Sequence, residues 1–345
     1  MPMSAAVTPH KDIDMRAINY PARGEVTFDQ VADPIAGDGD VVVEVKASGI
    51  CHTDFEVLNA NYGTSAFPVV PGHEYAGVVV DLGPGVSGVT VGQRVVVDPN
   101  IECGACRACR RGWAHLCERL GAYGVTENGG FAEFSVVKAS ALQPIEDMDF
   151  SIAALAEPMG CVLNGIEAIY DTTIENTLIF GAGPMGLLIA IALRTRGVTE
   201  MTFADIDDAR LDLAESFGFH GIASESAELD KLRHSVDLVV DATGAPSVAA
   251  KLADYIANGG KGLIFGVCPA DARIEISPFE VFRRQLTLAG SHSLNHNLPA
   301  ALETIKAYGP DIARIVSHQL SLQDVAAVLS SKPEPGSLKI QAVTD

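Results

Sequence analysis

Cys103, Cys106, Cys109 and Cys117 are separated by two, two and seven residues, and four thiols at that spacing read first as a tetrahedral zinc site. A disulfide framework fits poorly, because only seven cysteines occur in 345 residues and no secretory leader is legible at the start. Iron-sulfur runs are also tight, but they end in a three-residue gap before Cys-Pro or open with a four-residue gap, and neither occurs here. A shell of four thiolates leaves no position for substrate, so this zinc is expected to brace a loop and do no chemistry.

A sparser set of donors could do chemistry. Cys51 stands in Gly49-Ile50-Cys51-His52-Thr53-Asp54, His73 and Glu74 follow Pro71-Gly72, and Glu157 precedes Pro158. Taken singly, each has an ordinary explanation: a core cysteine, a loop histidine, a surface charge, an acid at a helix N-terminus. Together, one thiolate, one imidazole and one or two carboxylates could hold zinc while leaving a position for a substrate oxygen.

A third pattern is Gly181-Ala182-Gly183-Pro184-Met185-Gly186, which follows a strand-like run and opens a helix-like one, with Asp205 closing the next strand-like run. In that context it reads as a dinucleotide fingerprint. Gly181 would make the tight turn, Gly183 would let a pyrophosphate approach the backbone, and Gly186 would let helix and strand touch, with the phosphates at the helix N-terminus. Asp205 would accept the adenosine ribose hydroxyls. With Asp207 and Asp208 beyond it, it would repel a 2′-phosphate, which favours NAD over NADP. Its ordinary alternative is to cap the following helix.

The elements that must position these groups change character along the chain. Val41 to Val45, Gly77 to Asp81 and Arg94 to Asp98 are valine-rich runs broken by glycine and proline, as in an irregular, mostly antiparallel domain. After about residue 159 strands and helices alternate, as in a parallel sheet wrapped by helices: strands at 177–180, 201–205, 236–241, 262–267 and 286–289, helices at 184–196, 208–217, 246–257 and 279–284. The tail, with a helical 299–308 and a strand at 339–343, is too small to stand alone and should return to the first domain. The apolar run Thr177 to Leu193 is short for a membrane span and broken by glycine and proline, so it reads as a buried strand turning into a buried helix. Met1 to Asp14 reads as a loose extension and 331–336 as an ordinary loop.

Lysine and arginine number 24 against 44 acidic residues, and a formal charge of −20 disfavours nucleic acid and anionic membrane as partners. The expectation is a small-molecule enzyme of the cytoplasm.

From about Met15 onward the sequence resembles the zinc-dependent medium-chain dehydrogenase/reductase family. The resemblance rests on the Cys51 and His73-Glu74 motifs, Gly92-Gln93-Arg94-Val95, the cysteine lobe, Gly129-Gly130-Phe131-Ala132-Glu133 and the glycine fingerprint. It implies an α/β chain: a GroES-like, mostly-β catalytic domain over 1–159 and 293–345, with a structural-zinc lobe at about 99–120, and a Rossmann-type doubly wound parallel sheet over 160–292. It further implies two zinc ions per chain and a homodimer or homotetramer. Cys51 and His73 would be direct ligands, and Glu74 and Glu157 ligands or partners of the metal-bound water. Asp54 would orient His73, and Thr53 would begin a proton relay. A glutamate at 157, where family alcohol dehydrogenases carry a second cysteine, resembles the sorbitol dehydrogenase branch.

The implied reaction is oxidation of a secondary hydroxyl of a polyol to a ketose, with the proton leaving through Thr53 and the hydride passing to NAD. The rival is another secondary alcohol, such as a 2,3-diol, a threonine-like amino acid or an alkanol. A non-enzymatic dinucleotide-binding protein should show decayed ligands, which this chain does not. Four positions depart from the family. Glu56 stands where many relatives end the relay with histidine. His52, glycine in typical sorbitol dehydrogenases, could touch the cofactor pyrophosphate. Ser293 and Leu294 replace an arginine-tyrosine pair of the polyol site, within a polar segment that also holds His292 and is expected to border the substrate or to form a solvated hinge.

Overall fold

The computed structural model describes residues 14–61, 66–331 and 336–344. The expectation for Met1 to Asp14 lies outside these except at Asp14, and that for 331–336 lies mostly outside them.

The valine-rich runs build one sheet. Its strands follow the order Val316–Leu320, Lys339–Val343, Asp40–Gly49, Glu74–Leu82, Arg94–Val97, Leu142–Pro144, and Phe134–Lys138 adds to Asp40–Gly49. Every pair is antiparallel except the first. Val41, Val43, Val45, Val79, Val95 and Val97 point to one buried cluster, as the two-residue strand period requires. Pairing of Gly49 with both Glu74 and Gln341 has a functional consequence. It brings the end of one strand, the start of a second and the start of the C-terminal strand to a single edge of the sheet.

The second sheet is parallel throughout, in the order His220–Ala223, Glu200–Asp205, Asn176–Phe180, Val236–Asp241, Ile256–Ile264, Thr287–Gly290. From Asn176–Phe180 the chain first winds to one side and then to the other, so a crevice opens beyond its carboxyl end, where Gly181 sits. The apolar stretch resolves into that central strand and the helix Pro184–Arg194, whose residues Gly186 to Leu193 are all buried. No helix among the described residues is long and apolar enough to cross a membrane.

Two expected elements differ. The helix expected over 246–257 is two short turns, Pro246–Ala249 and Leu252–Tyr255, and strand begins at Ile256. Arg284 donates to the carbonyls of Ala253 and Ile256, taking acceptors that a continuing helix would use, and Asn258-Gly259-Gly260 favours no helix. The strand expected to reach Val267 stops at Ile264, because the Phe265 and Gly266 N–H groups both turn back to the Asp241 carbonyl, at 3.0 and 2.8 Å. Helices Ala156–Glu167 and Leu322–Ser330 complete the framework.

Candidate metal centre and cofactor site

The strand Asp40–Gly49 runs out into the helix His52–Leu58, with Cys51 at the helix N-cap. Asp54, three residues on and fully buried, accepts the Cys51 N–H with Oδ2 at 2.8 Å. Its Oδ1 accepts the Gly72 N–H at 3.3 Å and lies 3.4 Å from His73 Nδ1. One carboxylate therefore sets the entry of the Cys51 turn and stands beside Nδ1 of the imidazole.

Cys51, His73 and Glu74 bring their ligand atoms within 4.8 Å of one another. Glu74 Oε2 is buried 2.8 Å from the Lys339 ammonium, and a β-carbon on Gly49 would collide with it. Among the described residues, a thiol, an imidazole and a buried carboxylate converging at one point fit a zinc site with an open position. Burial by itself would lower the His73 pKa, but Asp54 and Cys51 beside it outweigh burial and hold it well above the usual histidine range.

Lys339 escaped the sequence reading. It is buried, its Nζ donates to Glu74 Oε1 at 2.8 Å and to the Ile50 carbonyl at 3.1 Å, and it heads a strand nearly three hundred residues downstream. Its lone signal was a lysine opening a short, mostly apolar strand run.

Glu157 sits in the first turn of Ala156–Glu167, buried, and stands apart from the three converging groups. Its Oε1 accepts the Cys161 S–H at 3.5 Å. Burial pushes its carboxyl up to about 7; Glu74 adds to this, while His73 and Lys339 oppose it. The same helix reaches the second sheet: a β-carbon on Gly165 would lie 3.1 Å from the Phe265 ring, just past strand Ile256–Ile264.

Thr53 Oγ1 accepts from Cys51 Sγ at 3.7 Å. Glu56, one turn on, lies 3.3 Å from His52 Nε2, and the His52 side chain is 75% exposed. The four lobe cysteines also gather within 4.8 Å. Backbone N–H groups point at their sulfurs, as from Cys103 and Arg119 to Cys117 at 3.3 Å each. The Ala105 N–H, helped by Arg119, brings Cys103 down to about 6, which suits a thiolate ligand.

At the crevice, Gly181 adopts φ 100°, Gly183 caps the helix N-terminus with Pro184 and Met185 following, and a β-carbon on Gly186 would strike the Gly181 carbonyl. Asp205 is buried and accepts the Ala182 N–H at 2.7 Å and the Asp207 N–H at 3.0 Å, tying the end of strand Glu200–Asp205 to the glycine turn. The capping role falls to Asp207, which accepts the Ala209 N–H at 3.0 Å, so Asp205 is not spent on it.

His292 and Ser293 are engaged with the cysteine lobe. His292 Nδ1 lies 3.2 Å from the His115 carbonyl oxygen, and Ser293 Oγ pairs with the Asn100 side chain. Leu294 is fully buried.

Residues 37–147 match the alcohol dehydrogenase GroES-like domain family and residues 184–307 the zinc-binding dehydrogenase family. D-altritol 5-dehydrogenase of Agrobacterium fabrum is 48% identical over 95% of this chain and 99% of its own. The chain belongs to the zinc-dependent medium-chain dehydrogenases, on their sorbitol-dehydrogenase-like branch. Another relative on that branch, D-arabinitol dehydrogenase 1 of Uromyces fabae, is 30% identical over 94% of this chain and 96% of its own. Among solved medium-chain dehydrogenases, a Sinorhizobium meliloti protein described as a zinc-binding dehydrogenase, bound to NADP, superposes with a TM-score of 0.92 at 29% identity, covering 96% of this chain and all of that one.

Proposed function

We propose that this enzyme oxidises a secondary hydroxyl of a sugar alcohol to a ketose, with NAD as hydride acceptor. The observation that carries the substrate class is Glu157, a buried carboxylate within electrostatic reach of His73 and Glu74 in a chain 48% identical to an altritol dehydrogenase.

Cys51 and His73 hold the catalytic zinc, with Glu74 and Glu157 as carboxylate ligands or as acceptors for what the metal binds; Cys103, Cys106, Cys109 and Cys117 hold the structural one. When bound, the catalytic zinc supplies a Lewis acid that acidifies a hydroxyl, and NAD supplies the acceptor carbon. Thr53 stands beside Cys51 to take the hydroxyl proton. From there the proton reaches solvent through Glu56, with the exposed His52 at 3.3 Å as its outlet. His52 is also available to hydrogen-bond the pyrophosphate. Asp54 keeps His73 facing the metal, and Lys339 compensates the Glu74 charge, so that two carboxylates can share one buried site. Asp205, with Asp207 and Asp208 beyond it, selects NAD over NADP by accepting two ribose hydroxyls where a 2′-phosphate would meet like charge.

The partners are small molecules, and the seven unpaired cysteines suit a reducing cytoplasm. Copies of the chain pair through the open side of strand Thr287–Gly290, beside which Phe279 and Phe282 are exposed, as in a homodimer or homotetramer.

Initial rates over hexitols, pentitols, 2,3-diols and threonine, with NAD and NADP in parallel, test the proposal. Turnover of a polyol with NAD supports it; turnover confined to diols, threonine or alkanols overturns the substrate class.

A further inference from the structure

We infer that residues 291–297 form a strap that positions Glu157 from the cysteine lobe, with Asn295 and Asn297 as its positioning residues; this rests on the two-zinc reading above.

The strap grips the lobe on one side. Asn295 uses both ends of its amide there, Oδ1 accepting the Ala114 N–H at 3.1 Å and Nδ2 donating to the Gly112 carbonyl at 3.0 Å. Gly112 and Ala114 lie between the ligand residues Cys109 and Cys117, so the amide reads the turn that the lobe metal shapes. Asn100, at the base of the lobe, donates to the Leu294 carbonyl at 2.9 Å.

The other side grips the helix that carries Glu157. Asn297 Nδ2 donates to the Gly160 carbonyl at 2.9 Å while its Oδ1 accepts the Asn295 N–H at 3.3 Å, linking the two asparagines directly. Asn164, on the same helix, donates to the carbonyls of His292 and Ser293 at 3.0 and 2.9 Å. Gly160 follows Glu157 by three residues, and a side chain there would crowd the strap. A β-carbon there would lie 3.0 Å from Asn297 Oδ1 and 3.1 Å from Leu294 Cβ.

The strap's own backbone shows that it is held by these contacts. Ser293 and His296 have φ of 54° and 55°, a left-handed conformation that non-glycine residues keep only where their surroundings impose it. A loop free to relax would abandon it. Order imposed by the lobe is thus passed through Asn295 and Asn297 to the first turn of the helix, where Glu157 stands. Residues that orient a metal's ligands from outside the shell commonly govern affinity at that metal.

The test reloads metal-free protein with zinc and strips it by chelator competition, which resolves the two sites. Asn295→Ala should retain the four-thiolate zinc and bind the catalytic zinc about tenfold more weakly, with altered d–d bands when cobalt replaces that zinc. In a Glu157→Gln background the same substitution should change neither. An unchanged catalytic-site affinity in Asn295→Ala, with only the melting temperature lowered, overturns the proposal, as does an equal loss in the Glu157→Gln background. If Asn295→Ala does not fold, Asn164→Ala, which removes two strap contacts on the helix side, decides by the same measurement. Wild-type protein that takes up a single zinc ion overturns instead the two-zinc reading on which the strap depends.

Discussion

Lys339 Nζ stands 2.8 Å from Glu74 Oε1, and both side chains are almost completely shielded from water. A buried carboxylate is stable only if its charge is met, and here the lysine meets it at 2.8 Å from both carboxylate oxygens. Lys339→Met strands the Glu74 charge and should destabilise the metal-free protein by about 3–5 kcal/mol. Zinc should recover part of that loss by supplying the missing positive charge. Chemical denaturation of both proteins with and without zinc measures it, and an equal deficit under the two conditions contradicts the assignment of Glu74 to the metal.

Cys51 and the lobe cysteines should respond differently to the same change. Cys51→Ser is expected to abolish turnover and leave one zinc per chain, held by the lobe. Cys106→Ser should lower the melting temperature, and the folded fraction should keep residual activity. Metal content and rates on the purified variants check both; a Cys51→Ser enzyme that still turns over would remove it from the catalytic shell.

Asp205→Ser should raise the KM for NAD by about 10–100-fold, the loss expected when hydrogen bonds to a charged acceptor disappear. It should also narrow the gap between NAD and NADP. Since Asp205 also holds the Ala182 N–H, Asp205→Asn, which keeps an acceptor, should lose less. A ratio of NAD to NADP efficiency that stays constant across the three proteins would show that selectivity lies elsewhere.

The pH dependence of stability should reverse with metal. Buried Glu157 holds its proton up to about 7, against 4.5 when unburied, so the metal-free fold loses stability as pH climbs through that interval. His73, held high by Asp54 and Cys51 against its burial, contributes stability that is present below its usual range and is likewise lost as pH rises. Zinc requires both groups without their competing protons, so the loaded protein should lose stability in the opposite direction, on acidification. Melting temperatures in weak acid and weak base, with and without zinc, give the two slopes; parallel slopes would contradict this account.

Much of the architecture was legible because its signals are local. The alternation of strand and helix after residue 159, the glycine turn at Gly181 and the lobe spacing each depend on residues close in sequence. The broken helix at 246–257 was not legible, since Arg284 takes its carbonyls from nearly thirty residues away. Lys339 was missed for the same kind of reason: a lysine opening a short strand has no meaning until the register beside Gly49 brings it to Glu74. The polar segment 291–297 invited a substrate wall or a hinge, and its hydrogen bonds run to the lobe and the helix.

The residue types and spacings by themselves determined which chemistry the chain can support. Thiolates at fixed intervals select zinc, and a glycine fingerprint with an acid beyond it selects a dinucleotide, because donor type and local backbone freedom are properties of short segments. Only the tertiary structure decided which carboxylate stands with Cys51 and His73, which cation compensates it and what holds Glu157 in place. Burial removes water from those groups, so their charge and protonation answer to partners that strand register and helix packing bring from far along the chain.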